Sequence, residues 1–326
     1  MAKLNMVGAL NLALHQEMER DEDVVVLGED VGVDGGVFRV TDGLYRKFGP
    51  QRVMDSPLAE SAIVGTSIGM AFYGLKPVSE IQFSGFSFQS FHQIENHAGR
   101  YRMRSQGRYH CQIVVRMPYG GGVRALEHHS ESEEAYYAHQ PGLKVVIPST
   151  PRSARALLVS SIRDPDPVIF LEPKALYHAV REEVPDEEEI LPIGRARIAR
   201  EGKDLTFIAY GAMMRPVLEA AELLHDEDGA EAEVVDLLTI SPLDRETLAA
   251  SARKTGRVVV VHEAPRSFGA GAEITASLVE RAFLYLEAPI RRVTAYDVPF
   301  VGFTREKANL PGVDRILSAA RETLRF

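Results

Sequence analysis

Three acidic residues stand where the chain could carry out proton chemistry. Glu29 lies at the acidic end of the apolar run of residues 24–30, Glu60 lies at the start of an Ala- and Gly-rich stretch, and Glu80 lies within an apolar segment. Open parallel sheets bind ligands beside the carboxyl ends of their strands, and Glu29 and Glu60 both follow predicted strands. A carboxyl group held there can act as an acid or a base. Each could instead cap a helix, face solvent or pair with an arginine, and the residues alone leave these interpretations open.

Two adjacent histidines form a second candidate site. His128 and His129 follow a glycine run, but neither H-E-x-x-H nor H-x-x-E-H spacing is present, and adjacent side chains project in different directions. A zinc site is therefore not favoured. One histidine in a loop before a helix can act as an acid, a base or a donor to a substrate oxyanion. The alternative is that the histidine and Ser130 only cap the next helix, and both interpretations stay open.

The glycine runs match no nucleotide-binding motif. Gly35-Gly36 and Gly120 to Gly122 form neither G-x-G-x-x-G after a strand nor G-x-x-x-x-G-K-[ST]. The pattern G-x-S-x-G occurs at residues 65–69, but there it lies within the predicted Glu60 helix and not at the turn after a strand that a nucleophile elbow requires. Nicotinamide, ATP and acyl-serine chemistry therefore lose support.

The elements that must position these residues alternate between strand and helix. Apolar runs of strand length recur between amphipathic stretches, which is typical of an α/β fold with a mostly parallel sheet. The predicted strands of the first half lie at 24–30, 52–54, 78–83, 112–117, 143–147 and 167–172. The helices there are predicted at 5–20, 88–103 and 149–164, and a cap formed by Asp55, Ser56 and Pro57 is predicted before the Glu60 helix.

An acidic, proline-bounded segment at residues 181–192 divides the chain, and a second strand–helix series follows it. We expect a first domain at residues 1–185, a linker at 186–200 and a smaller α/β domain at 201–326. Helices of the second domain are predicted near 214–226, 244–254 and 270–285.

Composition narrows the class of protein. The formal charge of −9 argues against a nucleic-acid surface, although four arginines cluster within residues 100–108. The single cysteine, Cys111, allows no internal disulfide and lies in an apolar strand, so we expect a core residue in a reducing compartment. No apolar run is long enough to cross a membrane. We therefore expect a cytoplasmic protein that binds neither nucleic acid nor membrane.

Several long segments resemble one enzyme family along the whole chain. Residues 28–44 (GEDVGVDGGVFRVTDGL), 55–83 (DSPLAESAIVGTSIGMAFYGLKPVSEIQF), 128–151 (HHSESEEAYYAHQPGLKVVIPSTP) and 166–177 (DPVIFLEPKALY) are similar to β subunits of 2-oxo-acid dehydrogenases. These are the thiamin-diphosphate-dependent decarboxylating components of the pyruvate and branched-chain complexes. The resemblance implies a transketolase-like pyrimidine-binding domain followed by a transketolase C-terminal domain. It also implies an α2β2 heterotetramer that acts on a small 2-oxo acid and on the lipoyl group of a dihydrolipoyl transacylase.

The resemblance also implies roles for four residues. Glu60, in the PLAES segment, matches the glutamate that hydrogen-bonds the cofactor's pyrimidine ring, and Glu29 lines the pocket beside it. Phe86 matches an aromatic residue placed against that ring. His129 matches the histidine that reaches the substrate and the lipoyl arm.

Two further implications concern ions. A potassium ion in the family is held mainly by main-chain oxygens, and the matching positions here are Ile113, Ser161, Ile162, Asp164 and Asp166. The family holds the diphosphate and magnesium with a Gly-Asp-Gly motif, and this sequence has no such triplet. We therefore expect an α subunit to hold the magnesium and the diphosphate, and the β chain alone to be inactive.

The substrate stays open among related reactions. Segments such as EIQFSGFSF favour a pyruvate-type β subunit over a branched-chain type. An acetoin dehydrogenase β subunit would share every residue named above. A non-catalytic scaffold subunit is a third alternative.

Overall fold

Strands with apolar residues on both faces form the interior of the molecule. The computed structural model describes residues 2–326. β2 is buried along its whole length, as expected for a strand covered by helices on both sides. The strands are β1 (Ala2–Leu4), β2 (Val24–Gly28), β3 (Val53–Asp55), β4 (Lys76–Glu80), β5 (Val114–Tyr119), β6 (Lys144–Val146), β7 (Val168–Pro173), β8 (Glu182–Val184), β9 (Arg197–Arg200), β10 (Leu205–Ala209), β11 (Ala232–Asp236), β12 (Thr239–Ser241), β13 (Val258–Pro265) and β14 (Arg291–Ala295).

Helices separate most of these strands. They are α1 (Met6–Arg20), α2 (Leu44–Phe48), α3 (Glu60–Phe72), α4 (Tyr101–Arg104), α5 (Glu134–Ala138), α6 (Pro151–Arg163), α7 (Met214–Asp228), α8 (Arg245–Thr255), α9 (Ala270–Ala282), α10 (Glu306–Asn309) and α11 (Val313–Leu324). Among the helices formed by residues 2–326, none has the length and apolar character that a membrane crossing requires.

Two sheets carry the fold. The first has seven strands in the order β12-β6-β7-β5-β4-β2-β3, and every neighbouring pair is parallel except β12 with β6. The second has five strands in the order β14-β13-β10-β11-β9, with β9 antiparallel at one edge. The expected α/β architecture with mostly parallel sheets is confirmed. The C-terminal half supplies β12, so one strand of the first sheet comes from beyond the acidic segment.

Local sequence explains where the long helices begin. Asn5 Oδ1 accepts a hydrogen bond from the amide of Gly8 at 2.9 Å and caps α1. Thr150 and Ser153 form a reciprocal capping box at the start of α6, with Pro151 at its first position. α1 and α6 then pack against each other beside the first sheet.

The prediction of one helix over residues 88–103 is wrong. The segment instead forms short pieces: a π-helical turn at Gln93–His97, a 3-10 turn at Ala98–Arg100 and the four-residue α4. The winding changes where another loop approaches the backbone, since a Cβ built on Gly142 would lie 1.9 Å from the carbonyl oxygen of Gly99. That contact joins residues distant in sequence and leaves no local signal.

Candidate active site

Four neighbouring parallel strands bring the predicted site residues to one edge of the first sheet. Along the order β3-β2-β4-β5, Glu60 follows β3, Glu29 follows β2, Phe86 follows β4 and His129 follows β5. The carboxyl ends of parallel strands meet at the same edge, where open α/β sheets bind ligands. The topology therefore gathers residues that are up to 100 positions apart in the chain.

Glu60 is the first residue of α3 and is only 4 % exposed. Its Oε2 is buried without a hydrogen-bond partner, and no side chain caps the helix. The predicted cap is wrong, because the carboxylate of Asp55 accepts a hydrogen bond from the amide of Gly32 at 2.6 Å instead. A buried polar atom without a partner is costly, so the Glu60 carboxyl is suited to a group that arrives from outside the chain.

Glu29 lies beside Glu60 and is half-buried. Burial raises the pKa of Glu29, and the charges of Asp30 and Glu60 raise it further. The two glutamates are therefore close enough to repel each other. A ligand that offers a proton or a positive charge would relieve this repulsion.

Three aromatic rings form a cluster at the same edge of the first sheet. The ring of His129 lies 4.2 Å from that of Phe83 and 5.2 Å from that of Phe86, both edge-on, and the two phenylalanine rings are 5.7 Å apart. Ser61, next to Glu60, donates a hydrogen bond to the carbonyl of Gln89 and so joins α3 to the segment that carries Phe86.

Phe83 and Gly85 were missed by the sequence analysis. A Cβ on Gly85 would lie 2.2 Å from the carbonyl oxygen of His128, so only glycine allows the histidine segment to pack here. The F-S-G-F spacing, with aromatic residues on both sides of a glycine, is the signal that could have identified them.

The side chains of His128 and His129 lie in different environments, as expected for adjacent residues. His128 is 63 % exposed and lies 3.4 Å from the carboxylate of Glu127. His129 is half-buried, and its Nδ1 is buried without a hydrogen-bond partner. Within residues 2–326, no group of three or more His, Cys, Asp or Glu side chains is arranged to hold a metal ion. His129 is therefore the histidine available to a ligand at the site.

Glu80 has a structural partner. It lies opposite Arg116 in the register of β4 and β5, and the fully buried Arg116 contacts both Glu80 and Glu172. Arg116 Nε donates to Glu172 at 2.7 Å, and the hydroxyl of Tyr177 donates to the same carboxylate. The adjacent carboxylates raise the pKa of Arg116 despite its burial, which keeps the guanidinium charged.

The residues matched to a potassium site lie at the opposite edge of the sheet. Lys144 Nζ contacts both carboxylate oxygens of Asp164 at 2.6 Å, and Arg102 pairs with Asp166 at 2.6 Å. The carbonyl of Ile162 accepts a hydrogen bond from Gln112 at 2.8 Å, and that of Ile113 accepts one from the backbone amide of Val168 at 3.0 Å. The carbonyl of Ser161 accepts a 3.3 Å hydrogen bond from the backbone amide of Asp164. A carbonyl oxygen has two lone pairs, so each of these main-chain oxygens has one left with which to bind a potassium ion. The carboxylates of Asp164 and Asp166 are already paired with Lys144 and Arg102.

A separate cavity of about 1050 Å³ lies between the two halves of the chain. Its lining includes Ser130, Glu133 and Glu263 but not Glu29, Glu60 or Phe86. The cavity is therefore distinct from the edge at which the candidate active-site residues meet.

Comparison with known proteins identifies the family. Residues 2–179 match the transketolase pyrimidine-binding domain and residues 194–316 match the transketolase C-terminal domain. The chain is 51 % identical over 326 residues to the pyruvate dehydrogenase E1 component subunit beta of Staphylococcus epidermidis, covering 100 % of both chains. It is 48 % identical to the protein of the same description from Acholeplasma laidlawii, covering 99 % of this chain and 98 % of that one.

A solved structure has the same fold. It is described as a split-gene transketolase in an inactive β4 tetramer, and it superposes with a TM-score of 0.82 at 25 % identity, covering 99 % of both chains. The resemblance seen in the sequence and the two-domain α/β fold are thus confirmed. The chain belongs to the transketolase-like family that contains the β subunits of the pyruvate dehydrogenase E1 component.

Proposed function

We propose that the chain is the β subunit of a pyruvate dehydrogenase E1 enzyme. With an α subunit and thiamin diphosphate it decarboxylates pyruvate and transfers the acetyl unit to the lipoyl group of a dihydrolipoyl transacylase. The observation that carries the proposal is the buried, unpartnered Oε2 of Glu60 at the carboxyl edge of the sheet, in a chain 51 % identical to such β subunits along its full length.

The residues present fit the pyrimidine half of thiamin diphosphate. Glu60 offers a buried carboxyl oxygen that lacks a partner, and Phe86 with Phe83 offers half-buried aromatic surface at the same edge of the sheet. The sequence has no Gly-Asp-Gly triplet, so an α subunit would hold the diphosphate and magnesium. When bound, thiamin diphosphate supplies a nucleophilic carbon that adds to a 2-oxo group and accepts the electron pair released with carbon dioxide.

Three residues of this chain, Glu60, Phe86 and His129, each have a task in that reaction. The Oε2 of Glu60, buried at the start of α3, would exchange a proton with a ring nitrogen of the bound cofactor. Phe86 would pack against the ring and orient it. His129 holds a proton beside the substrate oxygen and the lipoyl sulfurs. Reductive transfer converts the lipoyl disulfide to one thioester and one thiol, and the thiol sulfur needs a proton that a histidine can supply.

α3 gives the surface on which an α subunit would pack. Its outward face consists of small residues, with Ser61, Ala62, Thr66 and Gly69 exposed. Small side chains let another helix approach closely beside Glu60. This is the basis for the proposed α2β2 assembly, and for the expectation that the β chain alone is inactive.

Three other expectations stay proposals. We propose that a potassium ion binds the main-chain oxygens of the Ile113 and Ser161–Asp166 segments, that the domains divide at residues 186–200, and that the protein acts in the cytoplasm. The single, buried cysteine supports a reducing compartment.

Replacing Glu60 tests the function. In the assembled enzyme, Glu60→Gln should lower the kcat of pyruvate decarboxylation by about 100-fold or more, because an amide cannot exchange a proton with the ring nitrogen. Glu22→Gln, a change at an exposed carboxylate, is the matched control. Near-normal activity of Glu60→Gln would refute the role of Glu60. Comparing kcat/KM for pyruvate, 2-oxoisovalerate and acetoin with the unmodified enzyme tests the substrate, since pyruvate should give the highest value.

A further inference from the structure

The loop that carries His129 is docked against the C-terminal domain. We call residues 120–130 the histidine loop. Its glycines fit where other residues could not: a Cβ on Gly120 would lie 2.7 Å from the carboxylate of Glu263, and one on Gly121 would lie 2.8 Å from the ring of Phe300. The glycine run thus allows close approach of another domain, which explains a motif that matched no nucleotide-binding pattern.

Two buried carboxylates of the C-terminal domain hold the amides of this loop. Glu263, in β13, accepts a hydrogen bond from the amide of Gly121 at 2.8 Å. Glu306, the first residue of α10, accepts hydrogen bonds from the amides of Gly122 at 2.7 Å and Arg124 at 2.9 Å. Both glutamates are 4 % exposed.

Two further hydrogen bonds hold Gly120, the first residue of the histidine loop. The amide of Gly120 donates to the carbonyl of Glu131 at 2.8 Å, and Lys174 Nζ donates to the carbonyl of Gly120 at 2.6 Å. Burial lowers the pKa of Lys174 and raises that of Glu263, while their mutual attraction opposes both shifts. The first residues of the loop are therefore tied to buried charged side chains, and a backbone hydrogen bond joins its start to Glu131 at its end.

Backbone amides of the loop are held in this way, but most of its side chains are exposed. Residues 122–124 and 126–128 are exposed, and His129 follows them directly. An exposed loop is disordered unless specific contacts offset its conformational entropy. The amides held by Glu263 and Glu306 supply those contacts within ten residues of His129.

We propose that Glu263 and Glu306 are positioning residues, an interdomain clamp by which the C-terminal domain fixes the histidine loop and sets where His129 lies in the active site. The proposal rests on the proposed function of His129. The clamp residues touch neither substrate nor cofactor and act only through the loop.

A double-mutant cycle in the assembled α2β2 enzyme tests the clamp. Glu306→Ala removes every hydrogen bond to the Gly122 and Arg124 amides, so kcat for reductive acetylation of a lipoyl domain should fall roughly 10-fold. Glu306→Gln keeps one acceptor oxygen and should recover part of that loss. In a His129→Ala background, Glu306→Ala should change kcat by less than about twofold, because the clamp then has no histidine to position.

The outcomes separate the clamp from the function of His129. If His129→Ala is impaired and Glu306→Ala lowers kcat by the same factor in both backgrounds, the clamp is refuted and the role of His129 stands. If Glu306→Ala alone leaves kcat unchanged, the clamp is also refuted. Normal kcat for His129→Ala would refute the function of His129 and the clamp with it.

Controls exclude a general loss of structure. Glu246→Ala changes a carboxylate that is 76 % exposed in the same domain and should leave kcat unchanged. Assembly by size-exclusion chromatography and the Tm of each variant show whether it folds. If Glu306→Ala does not assemble, the same cycle is run with Glu306→Gln, for which a kcat loss that persists unchanged in the His129→Ala background refutes the clamp.

Discussion

Glu60 and Glu80 are both buried glutamates at the carboxyl edge of the first sheet, but only Glu80 has a cation against it. Arg116 faces Glu80 across the β4–β5 register, whereas the Oε2 of Glu60 has no partner. The sequence could indicate Glu60 and Glu29, because strand ends in parallel sheets are recognisable from apolar runs. It could not assign Glu80 to an ion pair, because that pairing depends on strand register. The F-S-G-F spacing could have indicated Phe83, but not its contact with His129, which joins loops after two different strands.

The buried side chain of Glu133 predicts how the stability of the protein changes with pH. Burial raises its pKa from 4.5 to about 8, and Glu131 and Glu134 add repulsion. Between these two values the folded protein keeps a proton that the unfolded chain releases, so the free energy of unfolding should fall as the pH rises through this range. Glu133→Gln mimics the protonated carboxyl, so the free energy of unfolding of this variant should depend less on pH. At about pH 8 its free energy of unfolding should exceed that of the unmodified protein by on the order of a few kcal/mol.

The measurement is urea-induced unfolding of both proteins at about pH 5.5 and about pH 8. Glu22→Gln serves as the control, because its carboxylate is exposed. An equal pH dependence for Glu133→Gln and the unmodified protein would contradict the raised pKa.

At the scale of elements, α1 and α6 begin where a capping side chain favours a helix, whereas α3 begins without one. α6 was predictable because Thr150 and Pro151 mark its start. Residues 88–103 were not predictable, because their winding responds to the approach of Gly142 from another loop. α3 differs from α6 in its exposed face of small residues.

Gly69 tests whether that face is an interface. A Cβ there would meet nothing within 4 Å in the chain, so Gly69→Ala should stabilise the β chain by roughly 0.5–1 kcal/mol through better helix propensity. Gly69→Leu should fold as well but should weaken binding to the α subunit, because its side chain would keep a partner helix away.

Isothermal titration of purified α subunit into each variant measures the effect on assembly. Glu222→Leu, at an exposed position of α7, is the matched control and should bind normally. Unchanged affinity for Gly69→Leu would show that α3 does not face the partner.

At the scale of the whole molecule, the two domains share a sheet. Thr239 pairs with Val146 and Ser241 with Val145, and the amide of Ile147 donates to the carbonyl of Leu238 at 2.9 Å. The alternation of strands and helices was enough to predict two α/β domains. It could not show that a three-residue strand of one domain completes the sheet of the other, because so short a strand has no periodicity to recognise.

A fragment of residues 2–193 tests this dependence. Without β12, the edge of β6 would present unpaired backbone groups, and the surface that faces the C-terminal domain would be exposed. The fragment should therefore aggregate at concentrations where the full chain stays dispersed, as measured by light scattering. A monomeric fragment with cooperative unfolding would contradict the expectation.

The shared strand also limits how genes for such proteins can recombine. The acidic segment between the domains looks like a natural point at which to exchange C-terminal halves between relatives. A crossover there would nevertheless combine β12 from one parent with β6 from the other, and it would set the glutamates of one parent against the glycines of the other. Chimeras should work only when these two contact surfaces are inherited together, so the unit of exchange is a set of paired surfaces rather than a domain.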